Sequence, residues 1–251
     1  MKNSWQAFTL FLAVVALSIS LAAQNIGTGR YDQDIASRVQ QQIENKKEFR
    51  NLQAAVDDGI VTLTGSVDVY QQKLDAAKKV RKLSQVQGVR NLIEVSSSVP
   101  DAQLVAQLDR KLYYDRIGYD NHFNYVTASV KDGVVTLSGE TRTDVGRDSA
   151  VDLANRMAGV KEVVNDIQVA PTSNFDDDIR IRAYRAIYRD PVLVRYATDP
   201  AAPIRIVVSN GKLSLYGTVE SAMDRNIAGI RANQVFGAFV VENNLEVAKK
   251  S

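Results

Sequence analysis

Three pairs of glycines with one spacing punctuate this chain: Gly59 and Gly65, Gly133 and Gly139, Gly211 and Gly217. Aligned on them, the sequence reads DGIVTLTG, DGVVTLSG and NGKLSLYG. Ahead of each pair alternate residues are apolar: Leu52, Ala54, Val56, then Val126, Ala128, Val130, then Ile204, Ile206, Val208. The alternation resumes at Val61 and Leu63, Val135 and Leu137, Leu213 and Leu215. Period-two patterning across Asp-Gly or Asn-Gly specifies a β-hairpin, because its tight turn needs positive φ and glycine adopts that without strain. Written three times, the pattern describes one small unit repeated in tandem.

From the second glycine the copies run without a gap to Val95, Val169 and Val247. Ala76, Val80 and Leu83 recur as Ala150, Ala154, Met157 and as Ala228, Ala232, Val235, a helical spacing whose small residues let a helix lie close to a sheet. A last strand follows, with Asn91, Asn165 and Asn243 in register, placed for a bulge or a cross-strand hydrogen bond. Ahead of each hairpin another helical spacing appears: Ile35, Val39, Ile43, then Leu104, Leu108, Leu112, then Ile179, Ala183, Ile187. Asp34 and Asp178 stand where N-caps belong. The expected fold class is α+β, with three tandem αββαβ units at residues 32–97, 101–170 and 175–247. In each, two helices with single apolar stripes cover one face of a three-stranded mixed sheet. Units this small, held by no disulfide and joined by short linkers, are expected to touch one another.

Composition removes most catalytic chemistry. Cysteine is absent from the 251 residues and His122 is the single histidine, so thiolate and multi-histidine metal sites are excluded, along with a cysteine nucleophile. Lysine and arginine number 31 against 29 acids, which provides no general drive toward nucleic acid. No phosphate-binding glycine loop or nucleophile elbow occurs, and no catalytic residue, metal ligand or cofactor is expected. Residues 1–23 read as a signal peptide, with Lys2 before an apolar run and Ser20-Leu21-Ala22 as a small-x-small cleavage site. An uncleaved anchor is the competing reading. Both place the remainder outside the cytoplasm, in the periplasm or an equivalent compartment.

The hairpin DG-V-V-T-L-S-G and the closing V-x-x-V-x-N-x-I-x-V resemble the BON (bacterial OsmY and nodulation) domain. The resemblance spans Asp34 to Val247 and is closest in the second copy, at Asp132–Gly139 and Val160–Val169. The third copy departs most, with Lys212 at an apolar position and Ala238 where the others carry valine. Membership of this family implies a non-enzymatic envelope protein, associated with phospholipid and with protection under osmotic or other envelope stress. It assigns the six glycines to the scaffold, so recognition must sit elsewhere.

The copies differ between the leading helix and the hairpin. The second carries YYDRIGYDNHFNY there and the third DPVLVRYATDPAAP; each reads either as a functional loop or as a loop folded over its own aromatics. On the leading helix of the third copy, Ile179, Ala183 and Ile187 take the core side. Tyr184 and Tyr188 fall opposite, bordered by Arg182, Arg185 and Arg189. An outward tyrosine stripe edged by arginine suits the surface of an anionic phospholipid membrane, and these five residues are the expected lipid contact. The same stripe equally suits packing against a neighbouring unit, or an adaptor or chaperone surface for other envelope proteins, since tyrosine and arginine also dominate protein hot spots.

Overall fold

The computed structural model describes residues 31–96, 98–114, 121–199 and 203–249. The expected signal peptide lies outside them. The first unit comprises α1 (Asp32–Glu44), β1 (Leu52–Asp57), β2 (Ile60–Val67), α2 (Tyr70–Arg81) and a final strand in two pieces, β3 (Gly88–Asn91) and β4 (Glu94–Val95). The second repeats the order with α3 (Asp101–Tyr114), β5 (Tyr125–Lys131), β6 (Val134–Thr141), α4 (Asp144–Asn155) and β7 (Glu162–Val169). The third comprises α5 (Asn174–Tyr188), β8 (Ile204–Ser209), β9 (Lys212–Val219), α6 (Ala222–Asn233) and β10 (Val240–Val247).

Every sheet has the same topology. The second hairpin strand is central, antiparallel to the first and parallel to the last, so Val135 lies beside Val130 on one side and Val163 on the other. The parallel pairing requires a crossover, which α2, α4 and α6 supply. All nine apolar positions assigned to the leading helices are buried, as are Ala76, Ala150 and Ala228 on the crossover helices. Each unit therefore has its own core between two helices and one sheet face.

Two local expectations are corrected. Asp34 and Asp178 are not N-caps: α1 starts at Asp32, and the α5 cap is Ser173, whose hydroxyl accepts from the Asp176 amide. Asp34 and Asp178 instead pair with Arg38 and Arg182 one turn on. The aspartates with a repeated role stand three residues before the first core residue of each leading helix. Asp32, Asp101 and Asp176 each accept two backbone N–H bonds across the hairpin turn, from Asp58 and Gly59, Asp132 and Gly133, and Asn210 and Gly211, at 2.7–3.0 Å. The strand asparagines bond neither across strands nor in a bulge. Asn91, Asn165 and Asn243 accept from the amide two residues on, and Asn91 and Asn243 also donate to carbonyls of the crossover helix, at Lys73 and Arg225.

Candidate functional site

The seam between the second and third units decides what the expected lipid face can do. Helices cover one face of the β8–β9–β10 sheet. Arg205, Val207 and Ser214 alternate with the core residues on the other face, yet they too are buried. The second unit covers them. Its 3-10 turn Asn121–Phe123 lies on β8, and Tyr125 stacks on Tyr216 with centroids 4.2 Å apart and planes 6° from parallel. Arg205 crosses the seam, donating to the carbonyls of Asn121 and Tyr113 while its guanidinium lies 4.9 Å from the Tyr113 ring. Burial lowers the Arg205 pKa and pushes the Tyr113 hydroxyl up to about 12. At the far end Arg142 of β6–α4 grips Asp177 of α5 through both carboxylate oxygens, at 3.1 and 3.3 Å, and Arg180 adds a third bond at 2.7 Å.

This seam takes the tyrosines of the expected lipid contact. Tyr188 is 3% exposed; its hydroxyl donates to the Ile204 carbonyl at 2.6 Å and accepts from the Ile204 amide at 3.1 Å. Tyr184 is half-buried, and both rings meet His122 of the second unit edge-on at 5.0 and 5.3 Å. Phe123 packs against the same core. Arg185 and Arg189 stay exposed, and Arg182 is partly so, but the five residues do not form one outward face. A helical wheel places side chains relative to their own sheet and is blind to a loop arriving from another unit. The described part of the aromatic connection in the second copy is thus packed on the third unit. That of the third copy folds onto its own unit: Leu193 and Tyr196 are buried there, and the Tyr196 hydroxyl bonds Asp224 and the Glu220 amide.

Arg182 instead belongs to a different surface, at the hairpin-turn end of the third unit. It donates to the Phe236 carbonyl at 3.1 Å, and its guanidinium lies 5.8 Å from the Phe236 ring. Phe236 is 83% exposed and Phe239 76%. Phe239 stacks on the exposed Phe175 at 5.6 Å, and Ile181 and Val240 are exposed as well. The signal for this patch is in the alignment. Phe236 and Phe239 occupy the positions of Ala158 and Lys161 in the second copy and of Ser84 and Gln87 in the first. In the second copy this loop is a contact surface, since Ala158 bridges to Val69 of the first unit and Val99 lies against Gly159. Among the described residues no helix is long and apolar enough to cross a membrane, and no group of three or more acidic or histidine side chains could hold a metal ion.

The BON domain model matches at residues 31–97, 100–171 and 191–249, the third match beginning beyond α5 although that helix packs in the same core. The chain is 25% identical over 160 residues to osmotically-inducible protein Y of Escherichia coli (strain K12), covering 60% of this chain and 78% of the relative. Among solved structures it is similar to CdsD, a structural protein of the type III secretion system of Chlamydia trachomatis, at 16% identity and a TM-score of 0.26, covering 87% of this chain and 92% of that one. A structure of the CdsD C-terminal domain gives 15% identity and a TM-score of 0.24, with coverage of 86% and 96%. With the family's model matched three times along a structure that repeats one αββαβ unit three times, the chain belongs to the BON domain family.

Proposed function

We propose that this is a non-enzymatic extracytoplasmic protein that contacts phospholipid headgroups in osmotic or envelope stress protection, through the turn end of its third unit. The observation that carries the reading is the pair Phe236 and Phe239, more than three-quarters exposed on one loop beside Arg182. Isolated exposed apolar residues are ordinary, but three exposed phenylalanines gathered beside an arginine are a surface that leaves water on contact. Phenylalanine that enters the headgroup–acyl boundary gains about 1.5–3 kcal/mol per fully buried side chain. Arg182 and Arg185 on the flank reach lipid phosphate, adding affinity for an anionic surface. Similarity to the osmotically inducible relative and the signal-like residues 1–23 support the compartment and the stress setting.

Flotation with vesicles of phosphatidylcholine, alone or with phosphatidylglycerol, tests it. The protein is expected to float with both and more strongly with the anionic mixture. Phe236→Ser with Phe239→Ser should reduce partitioning about a hundredfold, the equivalent of some 3 kcal/mol. Arg182→Glu with Arg185→Glu should erase only the anionic preference. Failure of the unaltered protein to float ends the lipid reading, and the exposed aromatics with arginine then favour a protein adaptor.

A further inference from the structure

Helix α6 buries one apolar stripe and exposes another. Ala228 and Ala232 are completely buried against the sheet, while Met223 and Ile230 on the outer side are 68% and 56% exposed, with Ile227 half-buried between them. Residues spaced i, i+4 and i+7 form one continuous ridge along a helix. Asn226 and Gln234 border it, both exposed and neither charged. The helix carries three charged side chains, and each is bonded within its own unit. Asp224 accepts from Arg195 and Tyr196, Arg225 donates to the Asn243 carbonyl, and Arg231 donates to the Asp190 carboxylate. The other copies are built differently on this face. Ile230 stands where the second copy has Asp152 and the first Lys78, and Gln234 where they have Arg156 and Lys82. The charges that keep this helix face in water in the first two units are missing from the third.

We propose that α6 is a dimer contact, its outer ridge packed head to tail against the same ridge of a second copy of this chain. Three features select that occupant. A ridge without charge has nothing to pair with a charged partner, yet it gains by leaving water. Its spacing is also self-complementary. With two helices antiparallel about a twofold axis near Asn226 and Ile227, Met223 of each copy meets Ile230 of the other, and Ile227 meets its counterpart. Finally, the chain already pairs two crossover helices in this sense. Helices α2 and α4 touch, with Val69 just ahead of α2 bridging to Ala158 just past α4, and Tyr70 packed on the core of the second unit. The start of one crossover helix thus meets the end of the next. Antiparallel α6 helices make that contact twice and so close the pair. The 12 residues of α6 span about 18 Å, which puts the contact at the small end for specific interfaces and the expected Kd in the micromolar range. Phe236 lies beyond the end of α6, so the ridge and the membrane loop are altered by different variants.

Sedimentation velocity of the purified chain, without lipid or detergent, tests the contact. A monomer–dimer equilibrium with a micromolar Kd is expected. Met223→Gln with Ile230→Asp introduces the residues that the first and second copies carry at these positions. The double variant should dimerise at least tenfold more weakly, with an unchanged melting temperature for the monomer. The chain has no cysteine, so Asn226→Cys supplies a single thiol near the axis, and mild oxidation should link it to its counterpart. Asp148→Cys, at the same position of α4, should link far less. The proposal fails if the chain stays monomeric at about 500 µM, well above a micromolar Kd. It fails equally if the double variant dimerises as tightly, if the two thiols cross-link alike, or if assembly runs on beyond a dimer. Neither measurement contains lipid, so the membrane reading stands or falls separately.

Discussion

A Cβ added at Gly139 would lie 2.1 Å from the carbonyl oxygen of Tyr125, and one at Gly65 or Gly217 would lie 2.0 or 1.9 Å from those of Asn51 or Pro203. At Gly133 the neighbour is the flexible Lys161 side chain, at 3.0 Å. All these glycines have positive φ, but only at the second of each pair would a Cβ fall within about 2 Å of a backbone carbonyl oxygen. Gly139→Ala is therefore expected to cost about 3 kcal/mol or more, whereas Gly133→Asn should cost about 1, asparagine being the residue other than glycine that most readily takes this conformation. Urea midpoints at unchanged slope would measure both. Period-two patterning revealed that six glycines recur and why a turn needs the first of each pair. It did not reveal the close approach behind the second. The Asp32, Asp101 and Asp176 clamps were legible in principle, since each precedes its first core residue by the same interval. Their partners stand so far along the chain that cap rules, which are local, pointed to Asp34 and Asp178 instead.

At the scale of the element, α5 shows what one helix can be asked to cover. Ile179, Ala183 and Ile187 face its own sheet and are completely buried, as the spacing required. Tyr188, on the other side of the wheel, returns to the same unit through its hydroxyl, which closes on both backbone groups of Ile204 at the start of β8. Tyr188→Phe keeps the ring and removes both bonds, so a loss of about 1–2 kcal/mol is expected, read as a lower unfolding midpoint with units two and three still docked. Tyrosine length is what periodicity misses. A wheel records the direction in which a side chain leaves the helix and not how far it bends back.

For the whole molecule, the second and third units act as a pair whose outer seam closes through Asp177. Its hydrogen bond to Arg142, then that to Arg180, holds the carboxyl below the usual range against the upward pull of burial. A carboxylate with a lowered folded pKa contributes stability that is present above its unfolded value, about 3.9, and is lost as pH falls through the folded one. Proteolytic nicking of the linker at 171–173 should therefore stay slow from neutrality to about pH 4 and rise below it. Arg142→Met should nick faster at neutral pH and show less of this acid dependence.

The sequence by itself determined the repeat, the order of elements, the hairpin registers and the three cores, because these follow from local turn chemistry and from periodicities of two and 3.6 residues. Only the tertiary structure decided which surfaces remain open. Tyr184 and Tyr188 are covered by a loop from another unit, whereas Phe236 and Phe239 are not. Exposure depends on what arrives from distant parts of the chain, and neither composition nor spacing along one helix carries that information.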